Sequence, residues 1–318
     1  MDELFADYLE FSKTRKASRS LDEDRRNWKN HVSPRVGTTK AAAVSVGDID
    51  SILSAVAVVR YKPRENARNP KAAPVKVGGQ IAANRVRALL SGVLTYAERS
   101  TVNARPRGSN PINETDKQPE RKRRRHIRRE EFVAVYRELA AAEVDKPRHV
   151  AALRCTLYCA TRVSELLTAK RAWLDGAILR VPHKTQRITG DTRIVRVPKQ
   201  ALAVIEQLPK DSSGLLFGDG IDRWTIGKVW RRIVRKAGCP DIQPRDLRRT
   251  FASVAKTIGA ELEHVGEILG HGFGDPTVTA GYAYLYDEEA ADLSQRTADA
   301  IDKLGGGARV AADIWWPE

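Results

Sequence analysis

Apolar positions in the first hundred residues recur at helical spacing. Leu4, Tyr8, Leu9 and Phe11 make a rough stripe, and Ile49, Ile52, Leu53 and Val56 fall at i, i+3, i+4 and i+7. Val86, Leu89, Leu90, Val93 and Ala97 repeat the pattern. Ser20, with Glu23 three residues later, predicts a capping box opening a helix that carries Trp28. Between the last two helices lies the Pro- and Lys/Arg-rich stretch 61–76. Its three prolines lack amide donors and clash with a preceding turn, so it cannot be helical throughout. This part reads as a small four-helix domain with a basic loop.

Residues 101–126 carry three prolines, no apolar periodicity and five consecutive basic residues, Arg121, Lys122, Arg123, Arg124 and Arg125. Periodicity then returns. Phe132, Tyr136 and Leu139 mark one helix, and 148–169 reads as a second with a strongly apolar face. AILRVP (177–182) and RIVRVP (193–198) alternate at strand period, and Asp175-Gly176 just before them reads as a tight turn. They predict a hairpin closed by a long polar loop. Helices are expected near 199–208, 225–237, 246–258, 261–269 and 277–303. The predicted class is mainly α: an N-terminal helical domain over 1–104, a basic linker over 105–126, a helical domain with a small antiparallel β-sheet over 127–304, and a tail over 305–318.

Length agrees with two domains, since 318 residues exceed the usual size of a single core. No apolar run approaches the roughly 18 residues that span a bilayer. The acidic, amphipathic N-terminus is unlike a signal peptide, so the expected location is the cytoplasm, at the nucleoid of a bacterial cell. Cys155 and Cys159 sit four apart in an apolar stretch and Cys239 is alone, which favours reduced core thiols over a disulfide framework. Charge changes the picture more. Fifty-five Lys and Arg against 40 Asp and Glu give +15, which favours a polyanionic partner, nucleic acid ahead of an anionic membrane. The bland alternative is a basic soluble protein. The run Arg121–Arg125 has the same two readings: a solvated linker or localisation signal, or a strap along a phosphate backbone.

Common catalytic frames are missing: no phosphate-cradling glycine loop, no zinc-protease helix, no Cys/His cluster and no nucleophile elbow. No metal or other cofactor is expected. Three segments stand out instead. In CATRVSELL (159–167), Arg162 ends an apolar helix just before a new turn that Ser164 can cap. A guanidinium there is costly to desolvate unless an anion meets it. It reads either as an ion pair with Glu165 or as a phosphate clamp held by that glutamate. In QPRDLRRTFASVAKTIG (243–259), Arg245, Arg248 and Arg249 crowd the first turn of a helix, where cations oppose the helix dipole unless an anion is shared. In HVGEILGHGFGDPTVTAGYAYLY (264–286), His271 follows a helix end and three tyrosines come after it.

ATRVSELL, PRDLRRTFAS, EILGH and VTAGYAY, in this order and spacing, resemble the motifs of the tyrosine recombinases, or phage-type integrases. The likeness extends over 130–290, and the N-terminal part is similar to the family's core-binding domain. The resemblance implies that Arg162, supported by Glu165, and Arg248 grip one scissile phosphate. It makes Lys184 the general acid, with His183 a rival, and His271 a hydrogen-bonding partner of the phosphate or the nucleophile. Where the family usually carries histidine, this chain has Arg245, which cannot accept a proton and reads as a further phosphate donor. Counting does not select the nucleophile, because the loop after His271 is longer than in many members. Tyr282 comes first after the loop, so it is the preferred nucleophile. Tyr284 is next, and Tyr286 runs into Asp287, Glu288 and Glu289.

The implied activity is site-specific DNA recombination or integration of the kind carried by phages and mobile elements. A 3′-phosphotyrosyl ester and a four-way junction are its intermediates. The implied partners are double-stranded DNA and three further copies, a tetramer on DNA from a monomer in solution. A type IB topoisomerase would use the same pocket, but the separate N-terminal helical domain favours recombination. The alternative is a catalytically impaired DNA-binding regulator of the same fold. The tail, with three glycines before Trp315-Trp316, reads as docking on its own domain or on a neighbouring protomer.

Overall fold

The computed structural model describes residues 1–62, 74–121, 123–182, 192–210, 212–270 and 287–306. Its residues form two compact units, Met1–Lys122 and Arg123–Glu318.

The first unit contains α1 (Asp2–Ser12), α2 (Ser18–Asn27), α3 (Ser33–Val36), α4 (Val46–Ala57) and α5 (Gln80–Ala97), with a π-helical turn over Trp28–Val32. The periodic positions are its core: Ile49, Ile52, Val86, Leu90 and Val93 are completely buried. Trp28 stacks on Phe5 at 4.2 Å and donates its indole N–H to Asp2 Oδ1 at 2.7 Å. The capping box expected at Ser20 and Glu23 does not form. α2 begins two residues earlier, after Ala17, so Ser20 lies inside its first turn and Glu23 pairs with Arg85 instead. The box occurs at α4, where Ser45 Oγ accepts from Asp48 N and Asp48 Oδ2 accepts from Ser45 N. The ends of the basic loop pair as two short antiparallel strands, β1 (Arg60–Lys62) and β2 (Val75–Val77).

Most of the expected linker belongs to this unit. Arg105 donates to the carbonyls of Ala41 and Val44, and Arg87 gathers Ile112 O, Thr115 O and Thr115 Oγ1. Ile112 is 2% exposed. Two guanidinium forks thus tie down a proline-rich stretch that has no ladder of its own, Arg87 reaching its carbonyls and Arg105 reaching from it to the carbonyls of Ala41 and Val44.

The second unit contains α6 (Arg129–Glu143), α7 (Pro147–Tyr158), α8 (Val163–Leu167), α9 (Lys199–Glu206), α10 (Arg223–Lys236), α11 (Asp246–Thr257), α12 (Leu262–Ile268) and α13 (Asp287–Gly305). The expected hairpin is present as β4 (Ile178–Pro182) and β5 (Thr192–Arg196), paired Leu179↔Val195 and Val181↔Arg193. A two-residue β3 (Leu174–Asp175) extends it across a turn in which Gly176 takes φ +53°. Phe132, Leu153, Trp230 and Phe251 fill the core, and Trp230 donates its indole N–H to Ile242 O at 2.9 Å. The single helix expected over 148–169 is in fact two, α7 and α8, separated by a break at 159–162 that builds the site described below. Positions 277–286 of the last expected helix and the tail from 307 onward lie outside the described residues.

α13 is latched to α6 and α7. Tyr158 donates its hydroxyl to Asp302 Oδ1 at 2.5 Å, and Tyr136 donates to Tyr158 at 3.2 Å. Burial first, then the Asp302 carboxylate, holds the Tyr158 phenol above its ordinary pKa, so it remains a donor. Gly305 ends α13 against the Tyr136 ring, leaving no room for a Cβ. Among the described residues no helix is long and apolar enough to cross a membrane. Replacing Asp302 with alanine strands two hydroxyls and should cost about 1–3 kcal/mol. Urea unfolding of the purified protein measures that loss.

Candidate functional site

The site grows from the break after α7. Ala160 is completely buried yet takes φ +52°, a left-handed conformation that costs a non-glycine residue about 1–2 kcal/mol. Its carbonyl accepts Arg248 Nη1 at 2.6 Å. Two residues on, Arg162 is the N-cap of α8. The Glu165 carboxylate closes that turn, Oε2 accepting the Arg162 N–H at 2.9 Å and Oε1 the Arg162 Nη1 at 2.6 Å. Glu165, and not Ser164, therefore caps this helix.

α11 supplies Arg248, and its first residue fixes the helix. Asp246 is fully buried and accepts from Arg123 Nη2 at 2.7 Å, Arg249 Nη1 at 2.7 Å and Gln243 N at 2.9 Å. Burial alone would raise its pKa. The bonds from Arg123, Gln243 and Arg249 outweigh that and hold it low. One turn later Thr250 Oγ1 accepts from Ile127 N at 2.9 Å, tying α11 to the start of the unit. The second amino group of Arg248 donates to Leu269 O, at the end of α12.

A third arginine completes the cluster. Arg193 on β5 donates through Nη1 to Glu165 Oε2 at 2.8 Å and through Nη2 to Ile268 O at 2.5 Å. Arg162 and Arg193 thus share one carboxylate. Burial would raise the Glu165 pKa, but Arg193 and then Arg162 outweigh it and hold it low. Arg248 is left without a carboxylate. Burial first, then repulsion from Arg193 and Arg162, pushes it down to about 9, so it is still charged at neutral pH. A partly buried, net positive cluster of this kind is an unfavourable arrangement until an anion enters it.

The cluster opens into a cavity of about 890 Å³ lined, among the described residues, by seven arginines, Arg124, Arg162, Arg245 and Arg248 among them, and by no carboxylate. The sequence-expected residues Arg162, Glu165 and Arg248 meet directly. Arg245 stands exposed at the mouth as the N-cap of α11 and makes no hydrogen bond or ion pair among the described residues. Lys122, Lys184, His271 and Tyr282 lie outside the described residues, as do His183, Tyr284 and Tyr286.

The basic run does not act as one strap. Arg123 is committed to Asp246, and Arg125 to Glu131 and Asp241 at 2.6 Å each. Hydrogen bonds donated to Asp241, then to Glu131, raise the Arg125 pKa above its ordinary value. Arg121 and Arg124 are exposed.

Two features escaped the sequence reading. Arg193 sits on the same inward strand face as Val195 and Val197, and a charge at an apolar register position was its only signal. The second is the outward face of α10, where Trp224, Lys228, Arg231 and Arg235 follow one another at i, i+4, i+7 and i+11. Trp224 is 66% exposed, and a second cavity of about 790 Å³, lined by Lys146, His149, Lys228 and Arg232 among others, runs along this face.

Comparison with known proteins agrees with this architecture. A family model described as the phage integrase family matches residues 125–289. The tyrosine recombinase XerD of Pseudomonas aeruginosa is 29% identical over 177 residues, 50% of this chain and 57% of that protein. The chain thus spans about half the length of the curated relatives it matches. Among solved structures, a lambda integrase dimer bound to a COC' core site superposes with a TM-score of 0.61 at 14% identity, covering 90% of this chain and 98% of that one. A lambda integrase tetramer bound to a Holliday junction gives 0.60 at 14% identity, covering 85% and 76%. At these identities the structures establish a common fold.

Inorganic sulfate should stabilise the protein more than chloride at equal ionic strength, by about 1.4 kcal/mol at ten times its Kd. The Arg162→Met/Arg248→Met double variant should lose the difference. The sulfate complex keeps Arg248 charged, whereas the free site gives up that proton near pH 9. The stabilisation is therefore full below that pH and fades as pH rises through it, which thermal melts from pH 7 to 10 resolve.

Proposed function

The chain belongs to the phage integrase family, and from that premise we propose that it is a site-specific DNA recombinase that breaks and rejoins strands through a tyrosyl ester. The observation that carries the reading is the cavity lined, among the described residues, by seven arginines and no carboxylate, with Arg162 and Arg193 sharing Glu165 and Arg248 held by backbone carbonyls. It offers fixed guanidinium donors where a phosphodiester gathers charge in its transition state.

In the proposed reaction the Tyr282 oxygen attacks a DNA phosphorus in line, its phenolic proton passing to water. The bond to the 5′ oxygen breaks, Lys184 delivers a proton to that oxygen, and the strand is left as a 3′-phosphotyrosyl ester. The free 5′ hydroxyl of a second strand then attacks the ester and expels the tyrosine. The ester conserves the energy of the broken bond, so rejoining needs no nucleotide. Arg162 and Arg248 hold the non-bridging oxygens, His271 bonds the phosphate or the nucleophile, and Arg245 adds a donor that takes no proton. The first unit serves as the core-binding domain. Arg121, Arg124 and the basic face of α10 add duplex contacts, and four copies assemble on two sites.

Covalent capture tests this reading. Nicked duplexes from a randomised library, incubated with the protein and extracted under denaturing conditions, should yield protein–DNA adducts. Tyr282→Phe should abolish the adduct and keep duplex binding, while Tyr284→Phe should keep both. Arg248→Met should slow capture by about 10²–10³-fold. No adduct from the wild-type protein would refute the enzyme assignment, and an adduct from Tyr282→Phe would move the nucleophile to another tyrosine.

A further inference from the structure

Arg193 is 7% exposed on the inward face of β5, beside Val195 on its own strand and opposite Val181 on β4, both buried. Burying a guanidinium there is costly unless its partners repay it, and its partners are few. Nη1 has Glu165 and Nη2 has Ile268 O, while Nε finds no acceptor among the described residues. Arg193 is also not among the residues lining the arginine cavity. A residue kept in so unfavourable a place, out of reach of any strand of DNA, must act through what it holds.

It holds two things. The first is the charge of Glu165. With Oε2 engaged by Arg193, only Oε1 faces the Arg162 guanidinium, at 2.6 Å. Without Arg193, the Glu165 charge would no longer be divided between two arginines and would offset Arg162 alone, leaving less of that guanidinium's charge for a phosphate. The second is the end of α12. Arg193 and Arg248 donate to successive carbonyls, Ile268 O and Leu269 O, at the negative end of that helix. The chain then passes through Gly270 at φ +60°, where a Cβ would run into the Arg193 guanidinium. His271 is the next residue and Tyr282 follows eleven positions later.

Resting on the recombinase reading above, we infer that Arg193 is a positioning residue for strand cleavage, dividing the Glu165 charge so that it offsets Arg162 only in part, and anchoring the Ile268–Gly270 backbone that leads to His271. It touches no DNA. Its loss should therefore slow the cleavage step and leave duplex affinity nearly intact, because affinity is spread over many backbone contacts.

The experiment uses a nicked duplex captured by the wild-type protein and compares Arg193→Met, Arg193→Lys and the double variant Arg193→Met/Glu165→Gln. Three quantities are read for each: folded fraction from thermal melts, duplex Kd, and the single-turnover rate of adduct formation at saturating protein. Arg193→Met should lose about 10- to 100-fold in rate with Kd changed by less than about threefold. Adding Glu165→Gln should recover several-fold of that loss, because an amide no longer neutralises Arg162. A buried ion pair that merely supports the fold would give no such recovery. Should Arg193→Met fail to fold, Arg193→Lys, which keeps the charge and loses the fork, must show the slowed rate at unchanged Kd. An adduct formed by Arg193→Met at the wild-type rate, a loss that tracks folded fraction or Kd, or no recovery with Glu165→Gln would overturn the inference alone. Absence of an adduct from the wild-type protein would overturn the recombinase reading and this inference with it.

Discussion

The second unit is organised around a charge imbalance: of three clustered guanidiniums, Arg162 and Arg193 share one carboxylate and Arg248 is left to backbone carbonyls. Isolated in a low-dielectric setting, like charges at this density repel. The surrounding fold must hold them in place until an anion arrives. Ala160 accepts a strained backbone so that its carbonyl can meet Arg248, and the break between α7 and α8 exists to put that carbonyl there. α12 brings two more carbonyls with the favourable end of its dipole. Each of these departures from regular structure answers the same unbalanced charge.

A second, balanced cluster carries the first. Asp246, buried at the start of α11, takes three donors from three directions, and Arg125 ties Asp241 to Glu131 on α6. These pairs are locally neutral or nearly so, and they fix the helix on which Arg248 and Arg249 ride. The protein thus uses arginine in two opposite ways: saturated as a strut, unsaturated as a donor awaiting a ligand.

Much of this was legible in the sequence where periodicity carries the information. The core positions of α4 and α5, the strands β4 and β5 and the helices from α9 onward follow their apolar pattern. The likeness of four motifs located Arg162, Glu165 and Arg248 before any contact was known. What escaped had no periodic trace. CATR holds no glycine to announce the left-handed residue at Ala160. The proline-rich stretch after residue 104 packs through the forks of Arg87 and Arg105 onto carbonyls, which leaves no apolar signature. Strands of two or three residues, such as β1 and β3, are too short to alternate.

The basic run at 121–125 illustrates why counting charges misleads. Five like charges in a row suggest a single electrostatic strap, yet Arg123 and Arg125 each meet a carboxylate supplied from more than a hundred residues away. Arg193 is the converse: one arginine in an alternating strand, unremarkable by composition, is buried beside the most strained charge in the unit. Whether a basic residue is strut or donor depends on whether tertiary structure brings it a carboxylate, and that partner is invisible in a local window. For this chain the distinction sorts the arginines by function more sharply than their number does. Arg123, Arg125 and Arg249 have buried or bridging acids, whereas Arg245 and Arg248 have none among the described residues and can offer their charge undivided to an incoming phosphate.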